Sequence, residues 1–226
     1  AQGRLHERVA EGADLIDVGG ESTRPGSHPV SAEEEWRRIE PVLSEARRAA
    51  LKVPLSVDTR KAAVADQALA MGASIVNDVS ALRHDPRMAD VVRSHRSGIV
   101  LMHMLGTPET MQRDPHYDDV VAEVFGFLRE AAATAVGAGI SSEQIVLDPG
   151  IGFGKGLEHN LDLLRSLPTE LGLDYPLLVG ASRKRFLGAL TGLAALAGRQ
   201  GPSPVHRAAG AGALTALAGR AGPHYR

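Results

Sequence analysis

The chain has 226 residues, 43% of them hydrophobic, and this length and composition allow a sizeable core in a single domain over residues 1–226. Its 25 basic and 27 acidic residues give a net charge of −2, which argues against a nucleic acid or a membrane surface as the main partner. The sequence contains no Cys, which excludes disulfides, thiolate metal sites and Cys nucleophiles and is compatible with a cytoplasmic protein.

Short apolar runs alternate with amphipathic segments along the chain. The apolar runs predict strands over 15–18, 54–57, 74–76, 98–102, 144–147 and 176–179. The amphipathic segments predict helices over the opening residues and over 31–50, 60–71, 86–96, 118–137 and 157–166. Ser31, three residues before Glu34, is typical of a helix N-cap. Repeated βα units of this kind predict a parallel sheet.

A polar cluster follows each of the six predicted strands. The clusters read DVGGESTRPG, SVDTRK, VNDVS, MHM, LDPGIGFGK and GASRKRF. In an open parallel sheet, polar groups gather mainly at one switch point. In a (β/α)8 barrel, every βα loop opens onto the same mouth. The pattern therefore favours an α/β fold of the (β/α)8 TIM-barrel type.

Six strands are fewer than a complete barrel needs. A seventh strand is predicted near 221–226, and such barrels usually need about 250 residues. We therefore expect the first strand and the end of the last strand to lie outside this chain, since an incomplete barrel leaves strand edges unpaired. On that basis we expect the 226-residue polypeptide alone to be inactive or poorly folded, and its full-length parent to be active.

The segment IVLDPGIGFGKG, residues 145–156, resembles a phosphate-binding loop but does not match one. A P-loop needs Gly where Pro149 stands and Ser or Thr where Gly156 stands. The dinucleotide pattern needs Gly where Lys155 stands. The segment instead predicts a strand-to-helix turn with Asp148 at the strand end, and Lys155 is interpreted as a solvated turn lysine.

Five motifs, taken in order, resemble dihydropteroate synthase, a family of pterin-binding barrel enzymes of folate biosynthesis. They are DVGGESTRPG (17–26), SVDTRK (56–61), NDVS (77–80), LDPGIGFGK (147–155) and GASRKRFLG (180–188), and the resemblance extends over about residues 12–188. It implies a transferase that condenses 6-hydroxymethyl-7,8-dihydropterin pyrophosphate with p-aminobenzoate and that sulfonamides inhibit. Two alternatives remain open. One is another pterin-binding barrel, such as a methyltetrahydrofolate methyltransferase, and the other is a catalytically silent homologue that acts as a binding module.

The resemblance implies a pterin site made of Asp58, Asn77, Asp148 and Lys184, with Asp58, Asp148 and Lys184 also catalytic. A carboxylate at the end of a buried strand needs a partner. The amino-pyrimidine edge of a pterin offers two N–H donors that suit such an acceptor. The alternative for Asp58 is an N-cap of a helix beginning at Thr59.

The resemblance also implies residues for the other two substrate groups. The p-aminobenzoate site would comprise Thr23, Pro25, Phe153, Ser182 and Lys184, and the pyrophosphate site would comprise Arg24 and Arg226. The loop 22–26 is expected to close over the site and exclude water. A Pro-Gly pair is equally typical of an inert surface turn.

Several polar and apolar residues keep two interpretations. Asp78 is a pterin-site neighbour or only a cap, and Val79 and Met102 pack against the pterin or form plain core. His103 is undecided, because the nine His show no metal-ligand spacing and no metal ligand is predicted. Mg²⁺ is expected from the resemblance alone, with its Asn ligand in the missing first strand. A homodimer is expected because the segment 205–219 lies where similar proteins dimerise.

Overall fold

The computed structural model describes residues 2–24, 26–170 and 174–180. Helices and strands alternate through these ranges, as the sequence predicts. In chain order they are α1 (Gln2–Ala10), β1 (Ile16–Gly19), α2 (Ala32–Arg48), β2 (Leu55–Asp58), α3 (Ala62–Ala70), β3 (Ile75–Asp78), α4 (Met88–His95), β4 (Gly98–Met102), α5 (Val120–Gly137), a 3₁₀ turn (Ser142–Gln144), β5 (Ile145–Asp148) and α6 (Leu157–Glu170). Five of the six predicted strands are confirmed within two residues at each end.

The five strands form one parallel sheet in the sequential order β1-β2-β3-β4-β5. A doubly wound sheet would reverse this order at its switch point, whereas a barrel adds each strand beside the last. The sixth predicted strand is represented by a single parallel bridge between Leu147 and Leu177. The predicted seventh strand near 221–226 and the helix over 205–219 lie outside the described residues.

The outer face of the sheet and the helices form the main core. Alternate strand residues are completely buried there, and the helices pack over them with large apolar side chains of their own. The strand residues are Val57, Val76, Ile99, Leu101, Ile145 and Leu147, and the helical residues include Ile39, Leu43, Phe125 and Leu128. No helix in the described ranges has the length and apolar character needed to cross a membrane.

The helix starts show which carboxylates are structural. Ser31 accepts a hydrogen bond from the amide of Glu34 at 3.2 Å, so its predicted N-cap role is confirmed. The helix after β2 begins at Ala62 rather than near Thr59, and its first amide donates to Asp85 at 3.0 Å. Asp85, not Asp58, therefore supplies the side-chain acceptor at this helix start.

The inner face of the sheet carries most of the polar strand residues. Gly19 pairs in register with Asp58, and Asp58 pairs with Asn77. Asp148 pairs in register with Met102. Paired residues of a parallel sheet point to the same face, and successive residues of one strand alternate between faces. By this alternation the predicted polar residues of β2, β3 and β5 share the face opposite the helices.

Candidate active site

Three of the four side chains predicted to bind the pterin lie together at the carboxyl ends of the strands. Asp58 and Asn77 are neighbours across β2 and β3, so their backbones are about 4.8 Å apart. Asp148 ends β5 on the same face, further toward the barrel mouth. The carboxyl end is where barrels of this type carry their active sites. The fourth residue, Lys184, lies outside the described residues.

Asn77 presents a buried acceptor to this face. Its Nδ2 donates to Asp17 Oδ2 at 3.1 Å, and this bond fixes the orientation of the amide. Its Oδ1 is buried and has no hydrogen-bond partner among the described residues. An unmet buried acceptor costs about 1–3 kcal/mol, which points to a ligand that donates to it. Asp17 was not among the predicted site residues, although its place two residues before Gly19 puts it on the inner face.

Asp58 occupies a site rich in negative charge. A side chain at Gly19 would place its Cβ 3.2 Å from the Cβ of Asp58, so glycine leaves room for this carboxyl. Burial, followed by the nearby charges of Asp17 and Glu35, raises the pKa of Asp58 to about 8. Asp58 therefore carries its proton at neutral pH in the ligand-free site.

This raised pKa makes stability depend on pH in a defined direction. The unfolded chain releases the proton of Asp58 near its ordinary pKa of 3.8, whereas the folded chain keeps it up to about 8. In this window the folded state binds more protons, so stability falls as the pH rises, by at most about 1.4 kcal/mol per pH unit. Replacing Asp58 by Asn removes this loss.

We therefore expect the stability of Asp58→Asn, relative to that of the wild type, to increase when the pH is raised from about 5 to about 8. Urea denaturation at both values measures the change in unfolding free energy. Asp162→Asn is the control, because that side chain is 49% exposed and lies on the surface of α6. A difference between Asp58→Asn and wild type that does not vary with pH would show that Asp58 is ionised in the folded protein.

Asp148 is tied into the loop that follows it. Its Oδ1 accepts from the amide of Gly150 at 2.7 Å, and its backbone carbonyl accepts from the amide of His103 at 2.9 Å. The residue is only 7% exposed. The carboxylate is therefore held in one position before any ligand arrives.

Asp78 points the other way, to the outer face. Its carboxylate accepts from the amide of Ser80 at 2.8 Å, from the Ser80 hydroxyl at 2.6 Å and from the amide of Leu82 at 2.8 Å. All three donors lie in the loop after β3. This confirms the interpretation of Asp78 as a capping residue.

An apolar cluster separate from the main core borders the carboxyl ends of β3 and β4. It consists of Val79, Met102, Met104 and Met111, with the half-buried Phe153 packed against it. Phe153 belongs to the loop that begins at Asp148. The candidate site therefore has a polar floor and an apolar wall.

The predicted lid loop follows β1. Thr23 is half-buried and Arg24 is exposed, while Pro25 lies outside the described residues. The amide of Gly26 donates to the carbonyl of Pro108 at 3.0 Å, so this loop contacts the loop between β4 and α5. The two loops meet above the strand ends.

A charged network at the base of this loop was not predicted. Glu21 accepts from the amide of Val30 at 2.9 Å, from Lys61 Nζ at 2.7 Å and from Arg60 Nε at 3.1 Å. Lys61 also donates to the buried Glu35. Burial would raise the pKa of Glu21, but the hydrogen bond from Lys61 and the other partners lower it overall. Glu21 thus joins the two ends of the loop 22–29.

Lys155 is not a solvated turn lysine, and that interpretation was wrong. The residue is 3% exposed, and its Nζ lies 2.9 Å from His103 Nδ1, 3.0 Å from the Phe153 carbonyl and 3.1 Å from the Gly150 carbonyl. His103 is also buried. Burial, followed by the charges of Lys155 and Arg83, lowers the pKa of His103 to about 3. His103 is therefore a neutral acceptor for the ammonium group.

Among residues 2–24, 26–170 and 174–180, no group of three or more His, Asp or Glu side chains is arranged to hold a metal ion. Ser182 and Arg226, like Lys184, lie outside these ranges. The Mg²⁺ expectation therefore rests on the resemblance alone.

Comparison with known proteins identifies the class that this arrangement represents. A family model described as "Pterin binding enzyme" matches residues 2–225, and the chain belongs to that family.

Within the family, the similar proteins are dihydropteroate synthases, as the sequence motifs predict. The chain is 48% identical to the enzyme of Neisseria meningitidis serogroup C over 85% of this chain and 68% of that protein. The Thermus thermophilus enzyme, solved in complex with 4-aminobenzoate, has a TM-score of 0.87 at 48% identity over 98% of this chain and 80% of that chain. The Xanthomonas albilineans enzyme, solved in complex with 7,8-dihydropteroate, has a TM-score of 0.81 at 42% identity over 97% of this chain and 74% of that chain. The predicted barrel fold and the predicted family are both confirmed.

Proposed function

We propose that the protein is a dihydropteroate synthase, a transferase of folate biosynthesis. It joins 6-hydroxymethyl-7,8-dihydropterin pyrophosphate to p-aminobenzoate and releases 7,8-dihydropteroate and pyrophosphate. The observation that carries the proposal is the convergence of Asp58, Asn77 and Asp148 on one face at the strand ends. The similarity to synthases solved with 4-aminobenzoate and with 7,8-dihydropteroate supports the choice of substrates.

The pterin is held on the polar floor of the site. Asp148 accepts the two N–H donors of the amino-pyrimidine edge, since a carboxylate suits a pair of parallel donors. Asn77 accepts a further N–H through its Oδ1, whose orientation Asp17 fixes. Lys184 completes this site by resemblance.

The reaction breaks the bond between the pterin methylene carbon and the pyrophosphate oxygen. Pyrophosphate leaves with the bonding electrons, the amine of p-aminobenzoate forms the new C–N bond, and the amine then loses a proton. Positive charge develops on the pterin as the C–O bond breaks. This charge lowers the pKa of Asp58, so Asp58 passes its proton to the departing pyrophosphate. The resulting carboxylate stabilises the cation and then takes up the proton that the amine loses.

p-Aminobenzoate lies between the apolar wall and the loop after β1. Phe153 borders its ring, and Thr23 and Pro25 supply the loop side. By resemblance, Ser182 would contact its carboxylate, and Lys184 would border this site while it binds the pterin. Arg24 and Arg226 contact the leaving pyrophosphate, for which a guanidinium fork is suited. Closure of the loop excludes water that would hydrolyse the cation.

The decisive experiment uses the full-length gene product with Mg²⁺, the pterin pyrophosphate and p-aminobenzoate. We expect 7,8-dihydropteroate to form, and we expect a sulfonamide to compete with p-aminobenzoate. Pterin pyrophosphate that binds tightly without turnover would identify a silent homologue instead. Methyl transfer from methyltetrahydrofolate in place of condensation would identify the methyltransferase alternative.

Four further features belong to this proposal. Residues 1–226 form one pterin-binding domain, the protein assembles as a homodimer, it acts in the cytoplasm, and it uses Mg²⁺. The homodimer and the ion rest on the family resemblance. The cytoplasmic location rests on that resemblance and on a sequence without Cys.

A further inference from the structure

Lys155 is a buried cation in the motif that contains Asp148. Lysine is rarely buried, because taking an ammonium group out of water is costly unless hydrogen bonds replace the lost hydration. Lysine has three donors and no acceptor. Here Nζ reaches one imidazole nitrogen of His103 and the carbonyl oxygens of Gly150 and Phe153. The protein thus surrounds the ammonium group with acceptors.

Both carbonyls belong to the loop between β5 and α6. Gly150 lies two residues after Asp148 and donates to its Oδ1, and Phe153 is the residue packed on the apolar wall. His103 immediately follows β4, and its amide donates to the carbonyl of Asp148. One ammonium group therefore connects the end of β4 to both ends of the turn that carries the candidate substrate contacts.

The rest of the loop is held by the buried side chain of Ile151 and by hydrogen bonds to its backbone. Three of its residues are glycines with positive φ, which have no side chain to pack. Gln112 donates to the Gly152 carbonyl at 3.1 Å, and Tyr117 donates to the Gly154 carbonyl at 2.8 Å. Asn160 accepts from the Gly152 amide at 2.6 Å. The loop has one shape because its polar backbone groups have fixed partners.

We propose that Lys155 is a positioning residue of the active site, whose ammonium group sets the loop so that Asp148 meets the pterin and Phe153 meets p-aminobenzoate. This inference rests on the proposed function and deepens it. Lys155 acts through the loop and does not itself touch the reacting atoms. Positioning matters because a shift of about 1 Å can reduce turnover about 100-fold.

His103 takes part in the same arrangement. Because its Nδ1 accepts from Lys155, the proton of the neutral ring lies on Nε2. Phe127 contacts the ring edge-on at 5.0 Å between centroids, and Arg83 lies 4.6 Å from the centroid of Phe127. These contacts keep the imidazole in the orientation that receives the ammonium group.

Two substitutions separate the charge of Lys155 from its position. Lys155→Met keeps a similar length but removes the donors. Lys155→Arg keeps the charge and donors but extends further, which displaces the two carbonyls. Lys52→Met is the control, since Lys52 is exposed. All three are made in the full-length gene product, and the folded fraction, kcat and the KM of each substrate are measured.

We expect kcat/KM per folded molecule to fall about 100-fold in Lys155→Met and at least about 10-fold in Lys155→Arg, with a raised KM for p-aminobenzoate. Lys52→Met should match the wild type. A purely structural role would lower the melting temperature but leave kcat per folded molecule unchanged, and this result would overturn the proposal. If Lys155→Met does not fold, kcat and kcat/KM per folded molecule of Lys155→Arg provide the same test.

A second measurement does not depend on turnover. Long-range ¹H–¹⁵N NMR of the wild type should show His103 as the Nε2–H tautomer, and Lys155→Met should lose this fixed tautomer.

A wild type that binds no pterin and forms no dihydropteroate would refute the proposed function. An active wild type whose Lys155 variants keep kcat/KM within about twofold would refute only the positioning role.

Discussion

We expect Asp148→Asn to keep the fold and to bind the pterin pyrophosphate about 5- to 150-fold more weakly, which corresponds to about 1–3 kcal/mol. In the wild type the amide of Gly150 donates to Asp148 Oδ1 at 2.7 Å. The side-chain oxygen of Asn can accept the same hydrogen bond, so we expect the loop to keep its conformation. The second carboxylate oxygen becomes an NH₂ group that faces the N–H donors of the pterin. Titration calorimetry on the full-length protein measures the affinity, and thermal melting measures the fold.

Asp78→Asn is the matched comparison for this experiment. Asp78 also ends a strand, but its carboxylate holds Ser80 and Leu82 rather than facing the inner side. In Asp78→Asn one carboxylate oxygen becomes an NH₂ group that faces a backbone N–H, so two donors oppose each other. We therefore expect a loss of unfolding free energy of about 1–3 kcal/mol. Equal pterin affinity for Asp148→Asn and the wild type would show that Asp148 does not contact the ligand.

The second large effect is expected from Gly150→Ala. A Cβ at this position would lie 1.9 Å from the backbone oxygen of His103, and the residue has a φ of +66°. Backbone strain and overpacking together should cost about 2–5 kcal/mol, and the displaced loop should also lower turnover. Urea denaturation measures the free energy of unfolding, and the condensation assay measures turnover.

Gly72→Ala controls for strain alone. Gly72 has a φ of +109° and nothing within 4 Å of the added Cβ. We expect it to cost about 1–2 kcal/mol, the range for a left-handed backbone, with turnover unchanged. If Gly150→Ala costs no more than Gly72→Ala, the loop is not pressed against the end of β4 as the structure describes.

The repeated βα pattern was readable from the sequence because buried parallel strands appear as short apolar runs with a polar residue at the end. Asp58, Asn77 and Asp148 could be grouped for this reason, since the carboxyl ends of parallel strands share one edge. Alternation along β3 also distinguishes Asn77 from Asp78. One step along a strand turns a side chain to the opposite face.

The roles of Lys155 and Glu21 could not be read in the same way. A lysine after a glycine-rich turn is exposed in most proteins, and its burial here depends on His103, which is 52 residues away in the chain. The partners of Glu21 include Lys61, 40 residues away. Such contacts join loops that are distant in the sequence, and a local sequence pattern does not predict which distant residues will come into contact.

The anchorage of Glu21 has a consequence for how this protein can vary. Glu21 binds the amide of Val30 and the cations after β2, so the base of the loop 22–29 is fixed to the barrel. Substitutions at the tip can then alter ligand preference without disturbing the sheet beneath. Natural variants and inhibitor-escape changes should accordingly accumulate between the two anchor points and spare the anchors themselves.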